Sequence, residues 1–167
     1  MMIKNRVCFV VSSPMTAKVF LTGHLIALSS RYSVSLVCNA DSSVVIDSLD
    51  DRVEVIPVAI DRKVVLFSDV KALFALANHF RSQRYGLVCS VTPKAGLLSQ
   101  LAAFMTGVPL RVHIFTGQVW VTRRGIKRRA LKVIDMLMAW LATDLLTDSP
   151  SQRDFLIAEG VVRADKI

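Results

Sequence analysis

Cysteine, proline and glycine are scarce in this sequence, at 3, 5 and 7 of 167 residues. Cys8, Cys38 and Cys89 are too few and too scattered to build a disulfide framework, so stability has to come from a packed core. Each lies in or at the end of an apolar run, where a thiol acts as a small hydrophobe. Little glycine and proline excludes a collagen-like or linker-like chain, and 53% hydrophobic residues exclude disorder. Long apolar runs are absent as well. The run at 7–11 has five residues, against the roughly 7–15 of a secretory signal. The longest later uncharged stretch, 136–142, falls far short of the roughly 20 residues that span a bilayer. His24, His79 and His113 have no Cys or His neighbour at ligand spacing, so no zinc or other metal site is expected. One cytoplasmic domain follows from the length and these absences.

Acid is in short supply too: 13 Asp and Glu face 21 Lys and Arg, a net charge of +8. Much of the excess sits in one segment. Arg123, Arg124, Lys127, Arg128, Arg129 and Lys132 fall within ten residues that hold no acid. Such a segment is a solvated helix face, a nucleic-acid surface or a membrane-docking surface. Nucleic acid fits poorly, because neither interleaved aromatics nor helix-turn-helix spacing accompanies the charge. A membrane fits better: basic side chains attract anionic headgroups, and Trp120 and its apolar neighbours suit the interface.

Short β-branched runs alternate with longer helical patterns. Strands are expected at 6–11, 33–38, 53–60, 87–91, 110–115 and 144–147, with Pro57 marking an edge or an early end of the third. Helices are expected at 16–29, 67–83, 94–106 and 125–142, with a short helix or turn around 42–49. In the second of these, Val70, Leu73, Phe74, Ala77 and Phe80 repeat at helical spacing. In the fourth, Ile126, Ala130, Val133, Ile134, Leu137 and Leu141 form the expected core stripe, with Met138 and Trp140 partly outside it. A final helix starts from Ser149 as N-cap, with Pro150 next and Gln152 completing a capping box. Repeated alternation implies an α/β fold, a Rossmann-like doubly wound parallel sheet with helices on both faces. Ligands then bind outside the carboxyl ends of the strands, in the loops at 12–16, 90–96, 115–120 and 148–152.

Two nucleotide signatures are missing there. Ser12-Ser13-Pro14-Met15 stands where a G-x-G-x-x-G would follow the first strand, and no G-x-x-x-x-G-K-[ST] occurs. Ser12, His113 and Asp148 make a hydrolytic triad on paper only, without a G-x-S-x-G elbow.

Four stretches carry a resemblance: SSPMTAK at 12–18, TPKAGLLSQLAA at 92–103, RVHIFTGQVW with RRGIKRRALK at 111–132, and TDSPSQRDFLIAEGVV at 147–162. In this order they resemble the N-terminal domain of bacterial GT-B glycosyltransferases of the retaining, family 4 kind, which build surface polysaccharide and O-antigen. The resemblance implies one Rossmann-like acceptor-side domain over 1–167, half of a GT-B fold, with the donor-binding domain absent. It implies transfer from a nucleotide-sugar, a UDP-sugar, to a lipid-linked saccharide at the inner face of the plasma membrane, to which the protein is peripheral. No metal or other cofactor and no nucleic acid enter that chemistry. The alternative is a non-catalytic basic Rossmann-like module that binds anionic membrane or nucleic acid.

By the same resemblance Ser12, Ser13 and Thr16 lie where a loop approaches donor phosphate and acceptor hydroxyl; turn and helix cap is the plainer reading. Lys94 starts a helix where a diphosphate would sit, or is a solvated lysine. His113 is a core histidine or orients the acceptor. Thr116, Gly117 and Gln118 are polar contacts, the glycine permitting close approach. Trp120, Arg123, Arg124, Lys127, Arg128, Arg129 and Lys132 are the candidates for membrane contact.

Overall fold

The structure, a computed structural model, describes residues 5–39, 51–60 and 65–167; the segment expected around 42–49 lies outside them. Six strands are present: β1 Arg6–Val10, β2 Ser33–Cys38, β3 Val53–Pro57, β4 Leu87–Ser90, β5 Leu110–Phe115 and β6 Asp144–Thr147. All pair in parallel, in the order β3-β2-β1-β4-β5-β6. Beyond their first residues β1 and β2 are buried without alternation, because both faces are covered. β3 is an edge strand that stops at Pro57, which has no N–H to extend a ladder.

Helix α1 starts as Pro14–Thr16, widens into a π-helical stretch at Ala17–Leu21 and ends as Thr22–Ser29. It therefore starts two residues before the expected 16. The hydroxyl of Thr22 donates back to the Lys18 carbonyl at 2.8 Å, within the widened stretch. The remaining helices are α2 Leu66–Gln83, α3 Pro93–Met105, α4 Gly125–Leu141 and α5 Pro150–Ala158, with a 3-10 turn at Val119–Thr122. At α5 the Ser149 hydroxyl accepts from Gln152 N at 3.2 Å. The Gln152 carboxamide reaches one residue further back than a standard capping box, accepting from Asp148 N at 2.9 Å.

α1 packs through Ala17, Leu21 and Leu25 on Val7, Phe9, Val34 and Leu36. α2 and α3 cover the opposite face, where Leu76, Phe80, Leu98 and Ala102 meet Cys8, Val10, Val37 and Val88. A third cluster joins Phe115, Trp120, Met138, Leu145 and Leu156. All three cysteines are buried and free, and burial pushes the Cys89 thiol up to about 12, so they serve as core. Two helix faces differ from expectation. α2 buries Ala72, Leu76 and Phe80, leaving Val70 and Phe74 exposed. α4 buries Met138 and leaves Ile126, Val133 and Leu137 exposed. Met138 is drawn in because α3 carries Gly96, where a Cβ would come within 2.8 Å of the Met138 sulfur.

Candidate active site

The sheet order reverses between β1 and β4, and at that point the loops after the two strands splay apart into a crevice. The crevice measures 300 Å³ and is lined by Ser12, Ser13, Thr16, Thr92, Pro93, Lys94 and Val119. Two helices begin at it. Both have proline in the first turn, and neither N-cap side chain, Ser13 or Thr92, accepts from its own helix. Thr92 is turned away to the β1 loop: Ser12 N donates to its hydroxyl at 3.1 Å, and the two hydroxyls lie 2.9 Å apart. The start of α3 thus faces the crevice without a side-chain cap, which favours a negatively charged guest.

Of the residues expected from sequence, Ser12, Ser13, Thr16 and Lys94 are brought together here. Lys94 is not simply solvated. Its Nζ lies 2.5 Å from Asp69 Oδ1 at the start of α2, with the lysine side chain only 15% exposed. Sequence reasoning missed Asp69 and Thr92. The hydroxyl three residues before Ala95 in T-P-K-A was a visible signal for Thr92, whereas nothing local links Asp69 to Lys94 across 25 positions.

His113 goes inside. It is buried, its Nδ1 lies 2.8 Å from the Ser90 hydroxyl, and Phe115 packs edge-on at 4.7 Å. Burial, partly offset by the contact with Ser90, lowers its pKa to about 4. A neutral core histidine is therefore the outcome, and direct acceptor orientation is not served from this position. Gln100 completes the network, its carboxamide N–H groups donating to Ser90 Oγ at 2.9 Å and the Val112 carbonyl at 2.8 Å. Beyond β5, Thr116, Gly117 and Gln118 lead to Val119 on the crevice wall. Gly117 has φ of +154° with open space where a side chain would stand, a conformation that favours glycine. Gln118 Nε2 is enclosed and has no hydrogen-bond partner among the described residues.

Trp120 also differs from expectation. At 1% exposure it is core, stacked on Phe155 at 5.6 Å, with Arg128 and Lys132 over its ring at 5.5 and 5.6 Å. It has no surface to offer a membrane. Both cations also reach Glu159, at 3.1 and 2.8 Å; the hydrogen bond from Lys132, then the two positive charges, hold its carboxyl below the usual range. Arg123, Arg124, Lys127 and Arg129 are exposed as expected. Among the described residues no group of three or more His, Cys, Asp or Glu is arranged to hold a metal, and no helix is long and apolar enough to cross a membrane.

A 3-2-1-4-5-6 parallel sheet with a crevice at its switch point defines a Rossmann-like α/β domain. The fold is that of solved UDP-N-acetylglucosamine 2-epimerase from Rickettsia bellii, with a TM-score of 0.69 and 16% identity over 99% of this chain and 44% of that one. Residues 25–167 match the Glycosyl transferase 4-like domain, and the chain belongs to that family. It is 33% identical over 106 residues to the capsular polysaccharide biosynthesis glycosyltransferase CapM of Staphylococcus aureus, covering 64% of this chain and 28% of that protein. It is 28% identical over 141 residues to the UDP-Gal:alpha-D-GlcNAc-diphosphoundecaprenol alpha-1,3-galactosyltransferase of Escherichia coli, covering 83% of this chain and 36% of that enzyme. The chain thus spans about a third of the length of the curated relatives it matches.

Proposed function

We propose that this chain is the acceptor-side domain of a glycosyltransferase of surface polysaccharide or O-antigen biosynthesis. The whole enzyme moves a sugar from a UDP-sugar to a polyprenyl-diphosphate-linked saccharide, with retention at the anomeric carbon. The observation that carries the reading is the crevice between the uncapped start of α3 and the Ser13–Thr16 turn, with Lys94 at its wall. Fixed donors of that kind suit a diphosphate group without a metal, since they need no reorganisation as charge builds up. The donor sugar nucleotide is held mainly by a second domain facing the crevice. As the glycosidic bond to the leaving diphosphate breaks, the acceptor hydroxyl attacks from the same face and the departing phosphate takes its proton. This chain supplies positioning: Ser13 and Thr16 toward the leaving diphosphate, Lys94 toward the diphosphate of the lipid-linked acceptor, and Thr116, Gly117 and Gln118 toward the acceptor sugar.

The relatives' names support the acceptor class, since one of them acts on a diphosphoundecaprenol-linked sugar. Work at such an acceptor requires a position on the membrane surface, on its inner face, and the exposed Arg123, Arg124, Lys127 and Arg129 provide the attraction. Lys94→Met tests the crevice. It should weaken binding of a short-chain polyprenyl-diphosphate saccharide about tenfold, because a charge-assisted contact is worth roughly 1.5–3 kcal/mol. Unchanged affinity would remove Lys94 from the site.

A further inference from the structure

We propose that the outward face of α4, rather than the segment around Trp120, is the surface that inserts into an anionic bilayer, with the helix axis lying in the membrane plane. The proposal rests on the membrane-peripheral reading above and says which side chains enter the lipid.

α4 carries two apolar stripes whose centres lie about 120° apart around the helix. The inner one, through Leu131, Ile134 and Met138, packs against Trp120, Leu145 and Leu156. The outer one is Ile126, Val133, Leu137 and Trp140, all exposed, with Trp140 at 66%. At about 100° per residue these four fall within roughly 60° of one another, so they form one ridge. The ridge runs about 21 Å at 1.5 Å per residue. It continues onto α3, where the exposed Phe104 lies 5.6 Å from the Trp140 ring. Nothing in the described residues covers it.

Charge selects the occupant. The only acid in α4, Asp135, is turned inward and accepts from the Trp120 indole. The outer surface therefore joins an apolar ridge to cations and to no carboxylate of its own helix. Beside its amino end a 320 Å³ recess lined by Gly125, Arg128, Arg129, Lys132 and Glu159 has room for a headgroup phosphate and a net positive lining. An apolar ridge edged by cations is what an anionic lipid interface takes up. A second copy of the chain would bring an equally basic face against it. The placement also agrees with the site: the turn holding Val119, a wall of the crevice, runs into α4 within three residues of Thr122.

The test is flotation with vesicles of equal parts phosphatidylcholine and phosphatidylglycerol, read together with tryptophan emission, since the chain has 2 tryptophans and only Trp140 is exposed. The protein should float, and its emission should shift to the blue. In Trp140→Phe, flotation should persist while the shift is lost. The double change Val133→Ser with Leu137→Ser, both at exposed positions, should lower partitioning about tenfold or more. Flotation with unchanged emission, or full flotation of the double variant, would overturn insertion through α4 and leave electrostatic attachment standing. No flotation on these vesicles would overturn both. Self-association abolished by the double change, with no vesicle response, would assign the ridge to a second copy and overturn the proposal.

Discussion

The indole Nε1 of Trp120 donates to Asp135 Oδ2 at 2.7 Å inside the protein, fastening the 3-10 turn that walls the crevice to the middle of α4. Burial raises the Asp135 pKa to about 6, against the lowering effect of that hydrogen bond. From its ordinary value of 3.8 up to about 6, the folded protein therefore holds a proton that the unfolded chain has released. Stability from this group is full at low pH and lost as pH rises through 6. Asp135→Asn keeps an acceptor for the indole and removes the titration. Between pH 7.5 and pH 5 the wild type should gain about 1–2 kcal/mol relative to the variant. Urea midpoints of the pair at the two pH values measure it; an identical pH response would show that Asp135 does not titrate in this window.

His113 acts in the opposite sense over nearly the same range. Its pKa falls from 6.5 to about 4 through burial, so the unfolded chain takes up a proton first. Stability is present above 6.5 and is lost as pH falls toward 4. His113→Asn can keep the bond to Ser90 while removing the charge. That variant should lose about 2 kcal/mol less than wild type on going from pH 7.5 to pH 5. The two groups thus largely offset one another in the native protein, and the single variants should diverge in opposite directions.

Gly96→Ala sets two effects of known size against each other. Alanine in a helix interior is favoured over glycine by about 1 kcal/mol. Here its Cβ would lie 2.6 Å from His113 Cε1 and 2.8 Å from the Met138 sulfur, and the histidine is held by Ser90 and cannot simply withdraw. Overpacking of that kind costs roughly 1–3 kcal/mol, so the variant should melt lower than wild type. A higher Tm would mean that the contact between α3, α4 and β5 is looser than the structure has it.

Much of this architecture is legible in the sequence, because the signals are local. β5 and β6 begin and end at the residues expected for them, 110–115 and 144–147, and Ser149-Pro150 starts α5 as written. The facing of α4 is not legible. The helix is apolar on both sides, and periodicity alone favours the stripe containing Ile126, Val133 and Leu137. The choice is made by distant residues: Gly96 leaves room for Met138, and Trp120 draws Asp135 inward. Trp120 reads as an interfacial tryptophan for the same reason, its stacking partner Phe155 lying more than thirty residues away. In the crevice, residue types and loop positions were readable for Ser13, Thr16 and Lys94, whereas the pairing of Lys94 with Asp69 depends on how α2 meets α3.

Gly117→Val probes the acceptor side. At φ of +154° a branched side chain is strained, and it would also fill the open space that the acceptor sugar is proposed to occupy. In a two-domain glycosyltransferase of the proposed kind that carries this domain, the substitution should lower kcat/KM for the lipid-linked acceptor by tenfold or more, with donor KM little changed. Unchanged turnover would move the acceptor pocket elsewhere.

The division of labour is tested most directly by titrating the 167-residue protein calorimetrically with a soluble short-chain polyprenyl-diphosphate saccharide and, separately, with a UDP-sugar. The acceptor should bind saturably and lose about tenfold in affinity on Lys94→Met, the UDP-sugar should bind far more weakly, and a mixture of the two should give no transfer. Tight UDP-sugar binding without acceptor binding, or robust turnover by this chain alone, would contradict its assignment as the acceptor-side domain.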